Sequence, residues 1–280
     1  MYIFRRILKN PLLVVCSVIT IVIIIAGIFA PYVAPHDPLE VNMDLRYASF
    51  SRQYPLGNDY LGRCILSRII YAVRPSFLTV LGVLVITVFI GCVLGLAAGY
   101  FGGRTDAVIM RVCDVFMALP SEVFVLAFVG ILGVGLRNIL LAYVVLKWAS
   151  FARLIRTSVQ SYKSANYVMY SRAAGWSSLH VIVKHILPSA LSEIIVISIS
   201  SVSGMILMVS SMSYLGLGIQ PPSPEWGSML FEAKSVMFQH PEQMLIPGII
   251  IVIISLCSVF IGDGLRDVLD PKHHTGQRGM

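Results

Sequence analysis

The chain has 280 residues, of which 57% are hydrophobic and only 12% charged. A soluble domain carries about 25% charged residues, so the composition excludes an ordinary water-soluble globule and indicates a membrane protein. The net charge of +7 comes from basic residues beside apolar spans, which membrane orientation explains without nucleic acid.

Residues 1–10 are basic, with Arg5, Arg6 and Lys9, and read as a cytoplasmic N-terminus. The apolar run 11–30 is about 20 residues, long enough to span, whereas a signal-peptide core is about 7–15. Pro31 stands where a cleavage site would want none, so the run reads as an uncleaved first transmembrane helix. Residues 31–75 are polar, contain Pro31, Pro35, Pro38 and Pro55, and form an extracytoplasmic loop. The glycines and charges of 55–68 read as folding that loop against the helix ends. Helix two is expected over about Ser76–Tyr100. Gly91, Gly95 and Gly99 share one of its faces and permit close approach of another helix. Residues 101–112, with Arg104 and Arg111, are expected to form a short cytoplasmic loop. Helix three follows over roughly 114–135, Gly133, Gly135 and Asn138 make a tight external turn, and helix four covers about 137–157, ending in Arg153 and Arg156.

Residues 163–188 contain two short helical patterns separated by Gly175, a residue suited to the left-handed end of the first. Ser177 and Ser178 are N-cap candidates for the second. Leu179, Ile182, Val183, Ile186 and Leu187 give it one apolar face. Pro188 fits the first turn of the next span. Periodicity alone allows either an amphipathic hairpin on the membrane surface or a docking knob for a cytosolic partner. Helix five, about 188–213, is rich in hydroxyls, including Ser200 and Ser203, that pack helices closely and can line a wet path. Trp226 is expected at the membrane interface. Helix six is expected over about 244–262, and His273–His274 reads as a tail pair beside Lys272.

Six spans from a cytoplasmic start place residues 163–187 and the tail inside. Inside segments then hold 13 Lys and Arg and outside segments hold 7, the bias that this orientation requires. Three ionisable residues fall in apolar spans. Glu122 and Glu193 lie toward the cytoplasmic ends, but Lys147 sits near mid-span, where an unpaired lysine costs on the order of 3 kcal/mol. It is expected to face the interior, a partner or water, beside Trp148, with Glu122 as a candidate counter-charge. Lys147, Trp148, Glu122, Ser200 and Ser203 are the candidate translocation-path residues.

Four separated motifs resemble those of the dipeptide/oligopeptide/nickel family of binding-protein-dependent ABC importer permeases. They are Pro55-Leu-Gly-Asn-Asp59-Tyr-Leu-Gly-Arg63-Cys-Ile-Leu-Ser67-Arg68, the Arg172…Gly175…His185-Ile186-Leu187-Pro188 coupling pattern, Tyr214-Leu-Gly-Leu-Gly-Ile-Gln-Pro221-Pro222-Ser-Pro224-Glu225-Trp226-Gly227, and Gly262-Asp-Gly-Leu-Arg266-Asp267-Val-Leu-Asp270-Pro271. The chain departs from the pattern at Asn58 and Cys64, where Thr and Asp are usual. It departs again at Met169-Tyr170-Ser171, where Glu-Ala-Ala is usual. The resemblance implies an all-α polytopic protein of six transmembrane helices, the type I importer permease fold, in the bacterial cell membrane. It implies a transporter domain over 76–264 and a cytoplasmic tail over 265–280. Tyr167, Arg172, Gly175, Leu179, His185 and Pro188 would be the ATPase-coupling residues. The implied partners are a paralogous permease, two cytosolic ATPases, an extracytoplasmic substrate-binding protein and the lipid bilayer. Peptides, nickel or chelated metal all fit as substrate.

No Gly-x-x-x-x-Gly-Lys-Ser/Thr occurs, so the chain has no phosphate cradle for ATP. No catalytic constellation, metal-ligand spacing or cofactor motif stands out, and the five scattered cysteines define no disulfide framework. A self-contained secondary transporter or channel is the rival reading. It would be expected to show inverted repeats with broken spans, or a filter segment.

Overall fold

Three prolines that would ordinarily end a helix, Pro75, Pro188 and Pro247, are carried inside one. Proline lacks an N–H, and its ring collides with the carbonyl one turn back. In the computed structural model, which describes residues 10–269, Pro75 and Pro188 are each accommodated by a π turn. In the turn Arg74–Leu78 the Thr79 N–H bonds the Arg74 carbonyl, and in Ile182–Ile186 the Leu187 N–H bonds the Ile182 carbonyl. The wider loop of backbone leaves room for the ring. The expected second and fifth spans therefore start earlier than their apolar runs, at Ile65 and Ser178. The basic residues 1–9 and the tail from Asp270, including His273 and His274, lie outside the described residues.

The helices are α1 (Pro11–Ile28), α2 (Ile65–Phe101), α3 (Gly103–Met117), α4 (Ser121–Leu132), α5 (Leu136–Lys163), α6 (Asn166–Ala173), α7 (Ser178–Tyr214), α8 (Trp226–Ala233) and α9 (Glu242–Leu269). Helices α1, α2, α5, α7 and α9 are long and apolar enough to cross a membrane. A sixth crossing is reached if α3 and α4, bent by 82° at their junction, count as one. The expectation of a loop over 101–112 followed by one straight span is thus corrected. Gly102, at φ +67°, starts α3 directly after α2. Pro120, extended at ψ 127°, separates α3 from α4, because a proline disfavours helical continuation through the residue before it. The polar residues that made α3 look like a loop are its anchors: Asp114 pairs with Arg153 and Asp106 with Arg156 on α5.

Helix α2 lies against α5 along its glycines. A Cβ on Gly91 would stand 2.5 Å from Phe151 Cβ, one on Gly95 2.6 Å from the Ala152 carbonyl oxygen, and one on Gly99 2.7 Å from Val159 Cβ. Those distances leave no room for any side chain, so the two backbones approach to the limit that glycine allows. Val80, Leu84, Ile139, Tyr143, Ile155, Met205, Ile206 and Ile254 fill the buried centre around this seam. The helices at the centre carry few charges because, in lipid, every buried polar group needs an internal partner.

Helix α1 rests against α9 through Leu13 and Gly264. At its other end Arg74 donates from Nε to the Gly27 carbonyl and from Nη2 to the Ile28 carbonyl, both at 2.9 Å. A cation on the orphan carbonyls of a helix C-terminus satisfies both hydrogen bonding and the macrodipole.

Candidate functional site

At one end of the bundle α5 and α7 are joined by a helical hairpin. Helix α6 ends at Ala173 with Ala174 as its C-cap, Gly175 takes φ +83°, and Ser177 caps α7 by accepting from the His180 N–H at 3.3 Å. A residue with a Cβ is strained at that φ. Beneath the turn, Val168, Val181 and Ile186 are buried. Tyr167 Oη lies 3.0 Å from Ser189 Oγ, tying α6 to α7. Arg172 and Lys163 both sit over the Tyr100 ring at 5.8 Å, holding the hairpin to the end of α2.

The outward face differs from the one that periodicity predicts. Of Leu179, Ile182, Val183, Ile186 and Leu187, Ile186 is buried, whereas Leu179 is 70% exposed and Val183 is exposed beside it. The π turn adds a residue to that turn and rotates the register, so the apolar stripe divides between the bundle and solvent. Trp176 stacks on His180 at 4.1 Å between centroids, and His180 lies 6.1 Å from His185. His185 is also 6.1 Å from Tyr167. Met169, Tyr170, Trp176, Leu179 and Val183 make this exposed surface apolar and aromatic. Pro188 lies within α7, its missing N–H served by the π turn.

Lys147 stands near the middle of α5, and its Nζ donates to Ser121 Oγ at 2.9 Å, at the first residue of α4. Glu122, the candidate counter-charge, is exposed one residue on, and the lysine's hydrogen-bond partner is a neutral hydroxyl. Trp148 packs edge-on against Phe116 of α3, 5.6 Å between centroids. Lys147 and Trp148 thus both meet the α3–α4 bend. Ser203 is buried, whereas Ser200 is exposed and its Oγ lies beside Gly262 of α9. Ser198, Ser201 and Ser211 turn their hydroxyls back to carbonyls of their own helix. The structure does not gather Ser200 and Ser203 with Lys147 through any hydrogen bond.

The opposite end is closed by a cap made from residues 31–64 and α8. Asp59 Oδ2 accepts from Arg63 Nε at 2.6 Å and lies 3.6 Å from Arg68 Nε. Glu232 Oε2 on α8 accepts from Arg63 Nη2 at 2.9 Å and from Arg68 Nη2 at 2.8 Å. All four side chains are at most 8% exposed. Asn58, which replaces the usual Thr, donates to the Gly62 carbonyl at 2.9 Å and holds the turn closed. Cys64 occupies the N-cap of α2 but makes no side-chain cap bond.

Trp226 is corrected by this cap. It is fully buried, not interfacial, and its Nε1 donates to the Ile69 carbonyl at 3.2 Å. A buried indole needs such a partner. Glu225, also fully buried, caps α8 by accepting from Gly227 N and Ser228 N, and accepts from Ser76 Oγ as well. Burial pushes its carboxyl above the usual carboxylate range, against the pull of those hydrogen bonds. Sequence reasoning gave Glu225, inside the third motif, no role of its own and did not single out Glu232. A carboxylate directly before a helix start was the available signal for the first, and nothing local marks the second.

A polytopic helical membrane protein with a paired-helix knob at one end and a charged cap at the other is the class that this geometry defines. Residues 88–274 match the family described as the binding-protein-dependent transport system inner membrane component. Residues 1–55 match the N-terminal TM domain of oligopeptide transport permease C. The chain belongs to this family of transport-system permeases. It is 44% identical over 272 residues to the metal-staphylopine import system permease protein CntC of Staphylococcus aureus, covering 97% of this chain and 94% of that one. It is 37% identical to the nickel transport system permease protein NikC of Escherichia coli, covering 85% and 86%. It is 38% identical to the di/tripeptide transport system permease protein DppC of Pseudomonas aeruginosa, covering 90% and 85%. Membership in this family supports the importer reading and not the self-contained secondary transporter.

Proposed function

We propose that this chain is one permease of an ATP-driven importer in a bacterial cell membrane, pairing with a paralogous permease. Two cytosolic ATPases would drive it and an extracytoplasmic binding protein would deliver substrate at the cap. The excess of Lys and Arg on the hairpin side supports a cytoplasmic hairpin and cytoplasmic termini. The observation that carries the reading is the hairpin itself: two helices turned at Gly175, presenting exposed Leu179, Val183, Trp176 and Tyr170. ATP-driven closure of the ATPases would press on this knob and move α5 and α7, the two spans rooted in it. The bend between α3 and α4, braced by Lys147, is carried along with α5.

The test is Gly175→Val. A β-branched residue at φ +83° is strained by about 1–3 kcal/mol, while space around the position is open. The variant should insert and assemble normally but lose substrate uptake by about tenfold while ATP hydrolysis persists. Normal uptake at normal expression would contradict docking at this hairpin.

The substrate class proposed is a small solute bearing carboxylates, either a metal chelate or a short peptide, as the names of the relatives support. Lys147 would attract it. Its partner in this chain is the Ser121 hydroxyl, so removing the ammonium strands no carboxylate here. Lys147→Met should therefore leave the assembled complex stable and lower uptake of carboxylate-bearing substrates by about tenfold, the scale of one charge-assisted contact. Loss of the complex would instead assign the lysine to an ion pair with the paired permease, and unchanged uptake of every substrate would assign it no role.

A further inference from the structure

The hairpin has an electrostatic property that its helical pattern does not require. No Asp or Glu occurs anywhere from residue 123 to residue 192. The acidic residues on either side are engaged or remote from the turn: Glu193 accepts from Tyr162 Oη at 2.9 Å, and Glu122 stands at the start of α4. The hairpin carries Lys163, Arg172 and Lys184. Two of these are committed, since Lys163 and Arg172 share the Tyr100 ring. Lys184 is exposed, one residue from Val183 and beside His185, in the part of α7 that also exposes Leu179. Where the related motif places a glutamate, this chain has the exposed apolar side chain of Met169.

Helix lengths allow this surface to stand outside the hydrocarbon core. At about 1.5 Å per residue, the 28 residues of α5 and the 37 of α7 reach roughly 42 Å and 55 Å. The hydrocarbon core is about 30 Å thick. Both helices are longer than that core, which leaves length for the ends that carry the hairpin to stand outside the hydrocarbon. An exposed cation among aromatic side chains, on a hairpin with no carboxylate of its own, is complementary to an acidic protein groove.

We infer that the groove receiving this hairpin on the ATPase subunit is lined with carboxylates around an aromatic-accepting floor, and that Lys184 supplies the cation they recognise. This rests on the reading that residues 163–187 dock on an ATPase. Carboxylates opposite Lys184 favour the correct subunit and speed encounter, whereas a basic groove opposite three cations is repelled. Docking by this hairpin is therefore salt-sensitive and selective for an acid-lined ATPase.

The test is retention of the ATPase on immobilised permease complex in detergent without added lipid, from about 0.05 to about 0.5 M salt, a range that shortens screening several-fold. Wild-type retention should fall steeply with salt. Lys184→Glu should weaken retention by about tenfold at low salt and reverse the salt trend, while Lys184→Gln falls between them. Insertion and elution of the permease should be unaltered, because the side chain is exposed. Salt-independent retention with an indifferent Lys184→Glu would overturn the acidic groove while leaving docking intact. Absence of any ATPase from the wild-type complex at low salt would overturn the docking reading itself. An effect of Lys184→Glu that appears only on binding to anionic lipid vesicles would assign this surface to the membrane and overturn the proposal.

Discussion

Glu232→Ala should lower the stability of the cap by about 3–5 kcal/mol, the cost of leaving buried charges uncompensated. Arg63 and Arg68 are each 1% exposed and share Glu232 Oε2, so the truncation leaves two guanidinium groups with Asp59 alone. Coulomb repulsion between the two cations then acts without its screen. The expected signs are a melting temperature lower by several degrees in detergent and faster proteolysis within residues 31–64. A double variant, Glu232→Ala with Arg68→Met, should recover part of the loss because it removes one stranded charge. An unchanged melting temperature in Glu232→Ala would show that the network contributes no net stability. The cap joins residues 31–64, the start of α2 and the helix before the last span.

Gly95→Val should prevent formation of a properly folded bundle. The Cβ alone would lie 2.6 Å from the Ala152 carbonyl oxygen and 2.9 Å from Ile155 Cβ. The nearest of these atoms is backbone, which cannot move aside as a side-chain tip can. Helices α2 and α5 would have to separate along the seam at Gly91, Gly95 and Gly99. Overpacking of this kind costs about 1–3 kcal/mol where neighbours yield, and more where they do not. The monodisperse fraction after solubilisation should fall by at least about fivefold. Gly82→Ala is the control, since a Cβ there meets nothing within 4 Å, and it should behave as the unmodified protein. Equal yields from Gly95→Val and Gly82→Ala would mean that the seam tolerates separation.

The sequence by itself determined the membrane class, the apolar spans and the helix–glycine–helix hairpin. Each is carried by a local signal: composition, runs of about 20 apolar residues, and a glycine where the backbone turns left-handed. The spacing of Gly91, Gly95 and Gly99 was equally legible, because residues four apart share a helix face whatever lies opposite. Only the tertiary structure decided what that face meets and where the helices begin and end. Pro75 and Pro188 read as boundaries because a proline breaks an ordinary α-turn, but packing on both sides retains the helix and a π turn absorbs the ring. That extra residue per turn also sent Leu179 and Val183 outward when periodicity had placed them with Ile186. The polar residues of α3 read as a loop because their partners, Arg153 and Arg156, lie 39 and 50 positions along the chain. Trp226 and Glu232 were misjudged or unseen for the same reason. Their burial depends on Ile69, Arg63 and Arg68, more than 150 residues away in sequence, and no local pattern encodes a partner at that distance.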